Sequence, residues 1–266
     1  MLESLTPQIR GLILDMDGVL WKDSSPIGDL HLIFDRFRVR GLQVVLATNN
    51  ATRTINEYLE KLLGFGVALE PWQIVTSAEV IADVLLKAFP QKGAVYVVGE
   101  NGVTSALCDK GFNPITDPDN ITPVVAVVGG MDRTMTYQKL QRASSHIRAG
   151  APFYGTNPDA TFPTPMGLIP GAGSIISAIE TAAGVKPTVV GKPSPFMFEL
   201  SAKRMGLSKN EILVVGDRLE TDVAGGQAAG NRTALVLSGV STHQQALQWF
   251  PAPDLIAKDL AELIIG

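Results

Sequence analysis

The fold is decided by the stretch GLILDMDGVL at residues 11–20, in which the apolar residues 11–14 are followed by two aspartates, Asp15 and Asp17. A short apolar run of this kind predicts a strand buried on both faces of a parallel sheet. Carboxylates at the end of a buried strand are costly unless they are paired, hydrogen-bonded or metal-bound. Asp15 and Asp17 therefore predict a site for a hard cation with acid–base or nucleophilic chemistry.

An EF-hand calcium loop begins with the same D-x-D-G letters, so this alternative has to be tested against the rest of the loop. The EF-hand requires further oxygen ligands and a Glu at its twelfth position. Counted from Asp15, the twelfth residue is Pro26. The EF-hand alternative is therefore excluded.

The composition limits the classes of protein to which the chain can belong. The 266 residues have a net charge of -4, 45% hydrophobic residues and a single cysteine, Cys108. The charge gives no basic footprint for nucleic acid, and no apolar run approaches the length of about 18–20 residues that spans a bilayer. One cysteine cannot form an internal disulfide, which fits a reducing compartment. We expect a cytoplasmic protein with no nucleic-acid or membrane partner.

The two ends of the chain alternate short apolar runs with amphipathic stretches, which predicts a doubly wound parallel sheet and hence an α/β fold. In the N-terminal part we predict strands at 12–14 and 44–47 and helices at 29–40, 54–63 and 76–89. In the last third we predict strands at 188–190, 212–215, 233–237 and 255–256, and helices at 195–205, 222–229 and 259–265.

The middle of the chain restarts this rhythm and predicts an inserted α/β module. We predict strands at 95–98 and 124–128, helices at 102–110, 137–148 and 174–183, and loops at 113–123 and across the Pro/Gly-rich span that ends at Gly173. The resulting division places the core at 1–86 and 187–266 and the inserted domain at 87–186.

Four short polar segments follow predicted strands of the core. They are Asp15 with Asp17, Thr48-Asn49-Asn50, Gly191-Lys192-Pro193 and the segment from Gly216-Asp217 to Asp222. In open parallel sheets, ligands bind beyond the carboxyl ends of the strands. We therefore expect all four segments to face one crevice.

The residue types in these segments are suited to phosphoryl transfer. The carboxylates of Asp15, Asp17 and Asp217 suit an octahedral Mg²⁺, which would offset their mutual repulsion. The Thr48 hydroxyl, nearby amide donors and the Lys192 ammonium can hold phosphoryl oxygens. A carboxylate can also act as the nucleophile and form an aspartyl-phosphate.

Six short motifs occur along the chain, DMDGVLW at 15–21, ATNNAT at 47–52, GTNPD at 155–159, PGAGS at 170–174, GKPSP at 191–195 and GDRLETD at 216–222. In residue types and in order, these motifs resemble those of the haloacid dehalogenase superfamily, and more closely its phosphatases with a large C2-type cap, the NagD/p-nitrophenyl-phosphatase-like group. The resemblance covers nearly the whole chain. It implies a Rossmann-like core with an inserted cap domain, and a Mg²⁺-dependent phosphatase that acts on a small phosphomonoester metabolite.

The resemblance also implies a role for each matching residue of the core. Asp15 would be the nucleophile and a metal ligand, and Asp17 the general acid and later base, with its backbone oxygen on the metal. Thr48 and Asn49 would contact the transferring phosphoryl group, and Lys192 would stabilise the phosphorylated Asp15. Asp217 would ligate Mg²⁺.

Asp222 and the cap are less closely defined by the resemblance. Asp222 would act as a metal ligand or support the acidic site, and capping of the helix it begins is an alternative. The cap would carry substrate selection, so we expect a specificity loop at 159–163 with Thr161 and Phe162 as substrate-binding residues. Similar proteins form dimers through the cap, which predicts a homodimer.

Other functions are compatible with the same residues. A phosphotransferase or mutase would use the same aspartyl-phosphate but pass the group to an alcohol. A receiver-like signalling domain also places acidic residues, a Thr and a Lys at strand ends, although it needs neither the second aspartate nor an insertion. A degenerate binding protein is disfavoured because every chemical group is present.

Overall fold

The computed structural model describes residues 2–164 and 166–265, which fold into two compact units. The first unit comprises the chain up to Thr48, the segment Asn56–Val75, and the chain from Lys192 onward. The second unit comprises Asn49–Ile55 and Thr76–Gly191. The predicted α/β fold, with an insertion between two halves of a core, is confirmed, and the division at residues 87 and 186 stays a prediction.

A six-stranded sheet forms the centre of the first unit. In spatial order its strands are Leu255–Ala257, Arg232–Val236, Ile212–Gly216, Gly11–Leu14, Gln43–Thr48 and Ile74–Thr76. The first five strands of this order pair in parallel. All four residues of Gly11–Leu14 are buried at the centre of the sheet, as the apolar run predicts.

Helices flank this sheet and begin and end where the sequence carries capping residues. Asp29 accepts a hydrogen bond from the backbone N–H of Leu32 and so caps the helix Leu30–Val39, whose apolar face is buried. The other helices are Ile55–Gly64, Phe196–Met205, Ala224–Ala229, His243–Gln248 and Leu260–Ile265, with 3₁₀ turns at Leu2–Ser4, Pro71–Gln73 and Lys209–Glu211, and a π-helical turn at Leu219–Val223. A two-stranded hairpin joins Trp21–Lys22 to Ser25–Pro26.

The second unit has its own five-stranded parallel sheet and its own apolar core. In spatial order the strands are Thr188–Val189, Phe153–Gly155, Ala126–Gly129, Ala94–Val98 and Asn113–Ile115. Its helices are Ser77–Ala88, Asn101–Asp109, Tyr137–Arg148 and Ala172–Ala183. An antiparallel hairpin pairs Thr161–Thr164 with Gly167–Pro170.

The structure corrects several elements of the sequence prediction. The strand predicted at 188–190 as part of the core pairs in parallel with Phe153–Gly155, so it belongs to the second sheet. The span predicted as loop at 113–123 begins with the strand Asn113–Ile115, which lies at a sheet edge where Pro114 need not donate a ladder hydrogen bond. The Pro/Gly-rich span predicted as loop contains the hairpin Thr161–Pro170.

Within residues 2–164 and 166–265, no helix is both long enough and apolar enough to cross a membrane.

Candidate active site

The two central strands of the first sheet bring two aspartates side by side. Leu14 and Val215 are partners in the register of these strands, and each strand runs directly into an aspartate. The backbone N–H of Asp15 donates to the Val215 carbonyl at 2.9 Å, which extends the ladder by one residue. Asp217 follows the last residue of the neighbouring strand. The parallel register therefore places Asp15 next to Asp217 at the carboxyl edge of the sheet.

A third aspartate completes an acidic cluster at this edge. Asp15, Asp217 and Asp222 each offer a carboxylate oxygen, and these oxygens all lie within 4.8 Å of one another. Asp217 and Asp222 are only 2% and 1% exposed, and the Asp15 side chain is 12% exposed. Three carboxylates this close and this buried repel one another and require compensating positive charge.

Lys192 supplies part of that compensation. Its buried Nζ donates to Asp15 Oδ1 at 2.6 Å, to Asp222 Oδ1 at 2.7 Å and to the Ala47 carbonyl at 3.1 Å. Burial opposes the charge on Lys192, but Asp15 and Asp222 outweigh it and hold the Lys192 pKa above its usual range. Lys192 is therefore a charged tether that fixes the Asp15 carboxylate.

A wide helical turn places Asp222 in the cluster. The π-helical turn Leu219–Val223 precedes the helix Ala224–Ala229, so Asp222 does not begin a helix as the sequence suggested. Its Oδ2 accepts from the backbone N–H of Arg218 at 3.1 Å, while its Oδ1 faces Lys192. Asp222 thus supports Lys192 and closes its own turn.

Asp217 has one oxygen fixed and one open. Its Oδ2 accepts from the backbone N–H of Val240 at 2.7 Å. Its Oδ1 is buried and finds no hydrogen-bond partner among the described residues. Burial raises the Asp217 pKa to about 6, and the Asp222 charge adds to this increase.

The immediate surroundings of Asp217 leave no room for another side chain. A Cβ at Gly18 or Gly239 would collide with its carboxylate. The two glycines therefore let the backbone close around Asp217.

The cluster fits a divalent cation. Burial raises the Asp15 pKa well above its usual range, and Asp222 and Asp217 add to this effect against the opposing influence of Lys192. Three carboxylates and one ammonium leave an excess of negative charge, and the open Asp217 Oδ1 is a hard oxygen donor. Carboxylate oxygens are the ligands that Mg²⁺ prefers.

Asp17 lies apart from this cluster. Its side chain is exposed, and its Oδ1 accepts a hydrogen bond from Trp21 Nε1 at 2.8 Å. The family resemblance assigns only the backbone oxygen of Asp17 to the metal. The position of the Asp17 carboxylate outside the cluster agrees with that assignment.

Of the two residues predicted to contact the phosphoryl group, Thr48 and Asn49, the first unit contains Thr48. It is the last residue of the strand Gln43–Thr48 and is 3% exposed. The preceding residue, Ala47, accepts from Lys192. Thr48 therefore directly follows a residue whose carbonyl binds the Lys192 ammonium.

The second unit contains the remaining predicted site residues. Asn49 donates from Nδ2 to Asp159 Oδ2 at 3.1 Å, and its carbonyl accepts from Asn157 Nδ2 and Ser77 Oγ at 2.8 and 2.6 Å. The TNN and NPD motifs are thus joined by hydrogen bonds within this unit.

Thr161 and Phe162 lie on the first strand of the hairpin, and their environments differ. Thr161 is exposed, whereas Phe162 packs against the apolar core of the second unit. Their predicted roles in substrate binding are untested by this geometry.

The sequence prediction missed two groups that the site uses. The Val240 backbone N–H has no side-chain signature, so only the fold reveals it. Trp21 was part of the quoted DMDGVLW motif, and its four-residue spacing from Asp17 was the available signal.

Comparisons with known proteins agree with this architecture. A model described as haloacid dehalogenase-like hydrolase matches residues 12–113, and a HAD-hydrolase-like model matches residues 189–263. The chain is 34% identical over 257 residues to an acid sugar phosphatase of Staphylococcus aureus, with 97% of each chain covered.

Two solved structures are similar along most of the chain. The p-nitrophenyl phosphatase from Archaeoglobus fulgidus superposes with a TM-score of 0.89 at 31% identity, covering 97% of this chain and 99% of that one. A glycerol phosphate phosphatase from Mycobacterium tuberculosis, in complex with magnesium, has a TM-score of 0.88 at 33% identity, covering 96% of this chain and 76% of that one.

Fold and site together define an α/β enzyme with an acidic, lysine-tethered centre at the carboxyl edge of a parallel sheet. The chain belongs to the haloacid dehalogenase-like hydrolase family. The family resemblance of the sequence is thereby confirmed.

Proposed function

We propose that this hydrolase is a Mg²⁺-dependent phosphatase that hydrolyses a small phosphomonoester through a phosphorylated Asp15. The observation that carries the proposal is the Lys192 ammonium, which donates to both Asp15 and Asp222 within an acidic cluster whose third member, Asp217, keeps one oxygen without a hydrogen-bond partner among the described residues. This arrangement holds a carboxylate in a fixed orientation and leaves cation-binding capacity next to it.

Asp15 is the nucleophile in this proposal. Lys192 holds Asp15 Oδ1, which fixes the plane of the carboxylate for in-line attack on phosphorus. As the bond from Asp15 to phosphorus forms, the bond from phosphorus to the leaving oxygen breaks. Asp17 donates its proton to that leaving oxygen.

The second step regenerates the enzyme. Asp17, now ionised, accepts a proton from a water molecule that attacks phosphorus. The bond between Asp15 and phosphorus breaks, inorganic phosphate leaves, and Asp15 returns as a carboxylate. In this proposal Thr48 and Asn49 hold phosphoryl oxygens during both steps.

Asp15 and Asp217, with the backbone oxygen of Asp17, are the groups that would hold Mg²⁺. Bound Mg²⁺ neutralises charge on the phosphoryl oxygens and on the acidic cluster. Asp222 contributes by holding Lys192, because its carboxylate oxygens contact Lys192 and the Arg218 backbone.

The substrate is a small phosphorylated metabolite in this proposal. Similarity to the acid sugar phosphatase of Staphylococcus aureus favours a sugar phosphate. Selection among such substrates is assigned to the second unit, with Thr161 and Phe162 as candidates. We further propose that the protein is cytoplasmic and forms a homodimer through this unit.

Phosphate release from p-nitrophenyl phosphate tests the proposal. We expect turnover that requires Mg²⁺, stops with EDTA and is lost in Asp15→Asn. Equal rates for wild type and Asp15→Asn, unchanged by EDTA, would reject it. Addition of acceptor alcohols distinguishes hydrolysis from the phosphotransferase alternative, because a transferase yields a new phosphate ester in place of inorganic phosphate.

A further inference from the structure

Trp21 is a buried aromatic residue whose one polar atom points to Asp17. The residue is 1% exposed, and its ring lies against Phe65 with a centroid distance of 6.0 Å. Its indole Nε1 donates to Asp17 Oδ1 at 2.8 Å. A side chain held this firmly has little freedom to move away from its hydrogen-bond partner.

The backbone between the two residues is closed by its own hydrogen bonds. Gly18 N–H donates to the Trp21 carbonyl at 2.8 Å, and Trp21 N–H donates to the Met16 carbonyl at 3.3 Å. Asp17 and Trp21 also form an isolated β-bridge. The distance between carboxylate and indole is therefore set by a tight turn as well as by side-chain packing.

Lys61 lies over the ring of the same indole. Its Nζ lies 3.9 Å from the centre of the Trp21 ring, and it donates to the Asp23 carbonyl at 3.2 Å. A cation over the ring face is attracted by the π-electrons. Because it also draws electron density from the ring, it makes the indole N–H a stronger donor.

We propose that Trp21, supported by Lys61, is a positioning residue that holds the Asp17 carboxylate for proton transfer. This inference rests on the proposed function, in which Asp17 is the general acid. The exposed Asp17 side chain would otherwise rotate among several conformations. With Oδ1 bound to the indole, Oδ2 is the oxygen that delivers the proton to the leaving group.

The alternative is a purely structural bond, in which Asp17 only satisfies a buried indole N–H. The two roles differ in their dependence on the leaving group. Protonation of the leaving oxygen matters most when that oxygen is a poor leaving group, and little when it is a good one. A structural defect would affect both kinds of substrate equally.

The test compares phenyl phosphate with p-nitrophenyl phosphate, which have similar shapes but poor and good leaving groups. Trp21→Phe keeps an aromatic ring and removes the donor. We expect kcat/KM for phenyl phosphate to fall about tenfold, the worth of one hydrogen bond in the transition state. The value for p-nitrophenyl phosphate should fall less than about threefold.

Trp72→Phe is the matched control, because Trp72 is 42% exposed, and it should leave both values unchanged. Lys61→Met is the second variant if Trp21→Phe unfolds. It should lower the phenyl phosphate value about two- to threefold, and Lys61→Arg should restore it because Arg also binds aromatic faces.

Equal losses on both substrates, or no loss on either, would overturn the positioning role. Asp17→Asn separates this result from a failure of the proposed function. If Asp17→Asn hydrolyses phenyl phosphate at the wild-type rate, Asp17 is not the acid and the proposed function itself is wrong. If Asp17→Asn is inactive while Trp21→Phe shows no selective loss, only the inference about Trp21 is wrong.

Discussion

Replacement of Lys192 by Met tests whether one ammonium holds the acidic cluster together. Met keeps an unbranched apolar stem and removes the charge. The change leaves Asp15, Asp217 and Asp222 without their buried cation, although their oxygens lie within 4.8 Å of one another. We expect a large loss of both stability and activity.

The size of the loss follows from the distances. At 2.6 and 2.7 Å, each ion pair is worth about 6 kcal/mol gross at an effective dielectric constant of about 20. The desolvation of Lys192 offsets much of this, and removal of one partner of a buried pair typically costs about 3–5 kcal/mol. An unfolding penalty of about 4 kcal/mol corresponds to a Tm decrease of about 8–16 °C for a protein of this size.

The assay is thermal unfolding in EDTA and in excess Mg²⁺, together with phosphate release. Mg²⁺ should recover part of the lost Tm, because a bound cation replaces some of the missing positive charge. Turnover should fall by about 10²–10³-fold, as for loss of one preorganised charge-stabilising group. Lys203→Met, at an exposed position, is the control and should cost less than about 1 kcal/mol.

A Lys192→Met protein within about 1 kcal/mol of wild type, with turnover within about tenfold of it, would refute the reasoning. That result would mean that the cluster is compensated by other groups and that Asp15 does not depend on Lys192 for its orientation.

Three further predictions concern Asp217, the glycine against it, and the hairpin of the second unit. Burial raises the Asp217 pKa from 3.8 to about 6, so the metal-free folded state binds this proton more tightly than the unfolded chain. The free energy of unfolding should therefore fall by about 3 kcal/mol as pH rises from 3.8 to about 6. Thermal melts in EDTA at a series of pH values should show this fall in the wild type and not in Asp217→Asn. Parallel pH profiles of stability for the two proteins would contradict the raised Asp217 pKa. Gly239→Ala places a Cβ against the Asp217 carboxylate and should cut Mg²⁺-dependent turnover at least about 10²-fold, whereas Gly64→Ala, which meets open space, should not; equal turnover in the two variants would show that the contact is unimportant. Phe162→Ala should cost about 1–2 kcal/mol in denaturant unfolding, because Phe162 packs on the core of the second unit; unchanged stability together with altered substrate preference would instead support its predicted role in binding.

The core sheet and its site were predictable because their signals are local. The apolar runs at 11–14 and 212–216 are continuous, and each ends directly in an aspartate. Parallel strands align their carboxyl ends, so the pattern alone brought Asp15 and Asp217 to one edge. The helix predicted at 29–40 lies at Leu30–Val39, with the two outer residues of the predicted range, Asp29 and Arg40, as its caps.

The missed elements have weak or ambiguous local signals. The hairpin Thr161–Pro170 carries several prolines, which read as loop in a single sequence. The strand Thr188–Val189 has only two residues, and nothing local shows which of two parallel sheets it joins. The helix His243–Gln248 buries only Ala246, so it has no apolar periodicity that would predict it. Its one sequence signal is the capping box of Thr242 and Gln245.

The site details that escaped prediction depend on tertiary placement. The Val240 N–H that binds Asp217 lies 23 residues away from it and belongs to the backbone. The π-helical turn that aims Asp222 at Lys192 has no compositional signature. The unpartnered oxygen of Asp217 and the hydrogen bonds of Lys192 to both Asp15 and Asp222 exist only in the folded chain.

The central claim is that Asp15 becomes covalently phosphorylated, and rapid acid quenching of a single turnover tests it most directly. With p-nitrophenyl phosphate and Mg²⁺, mass spectrometry of the quenched protein should find a phosphoryl group on the peptide that contains Asp15. The modification should disappear at later times and should be absent from Asp15→Asn. Rapid phosphate release with no modified Asp15 peptide at any time, or full turnover by Asp15→Asn, would contradict the account.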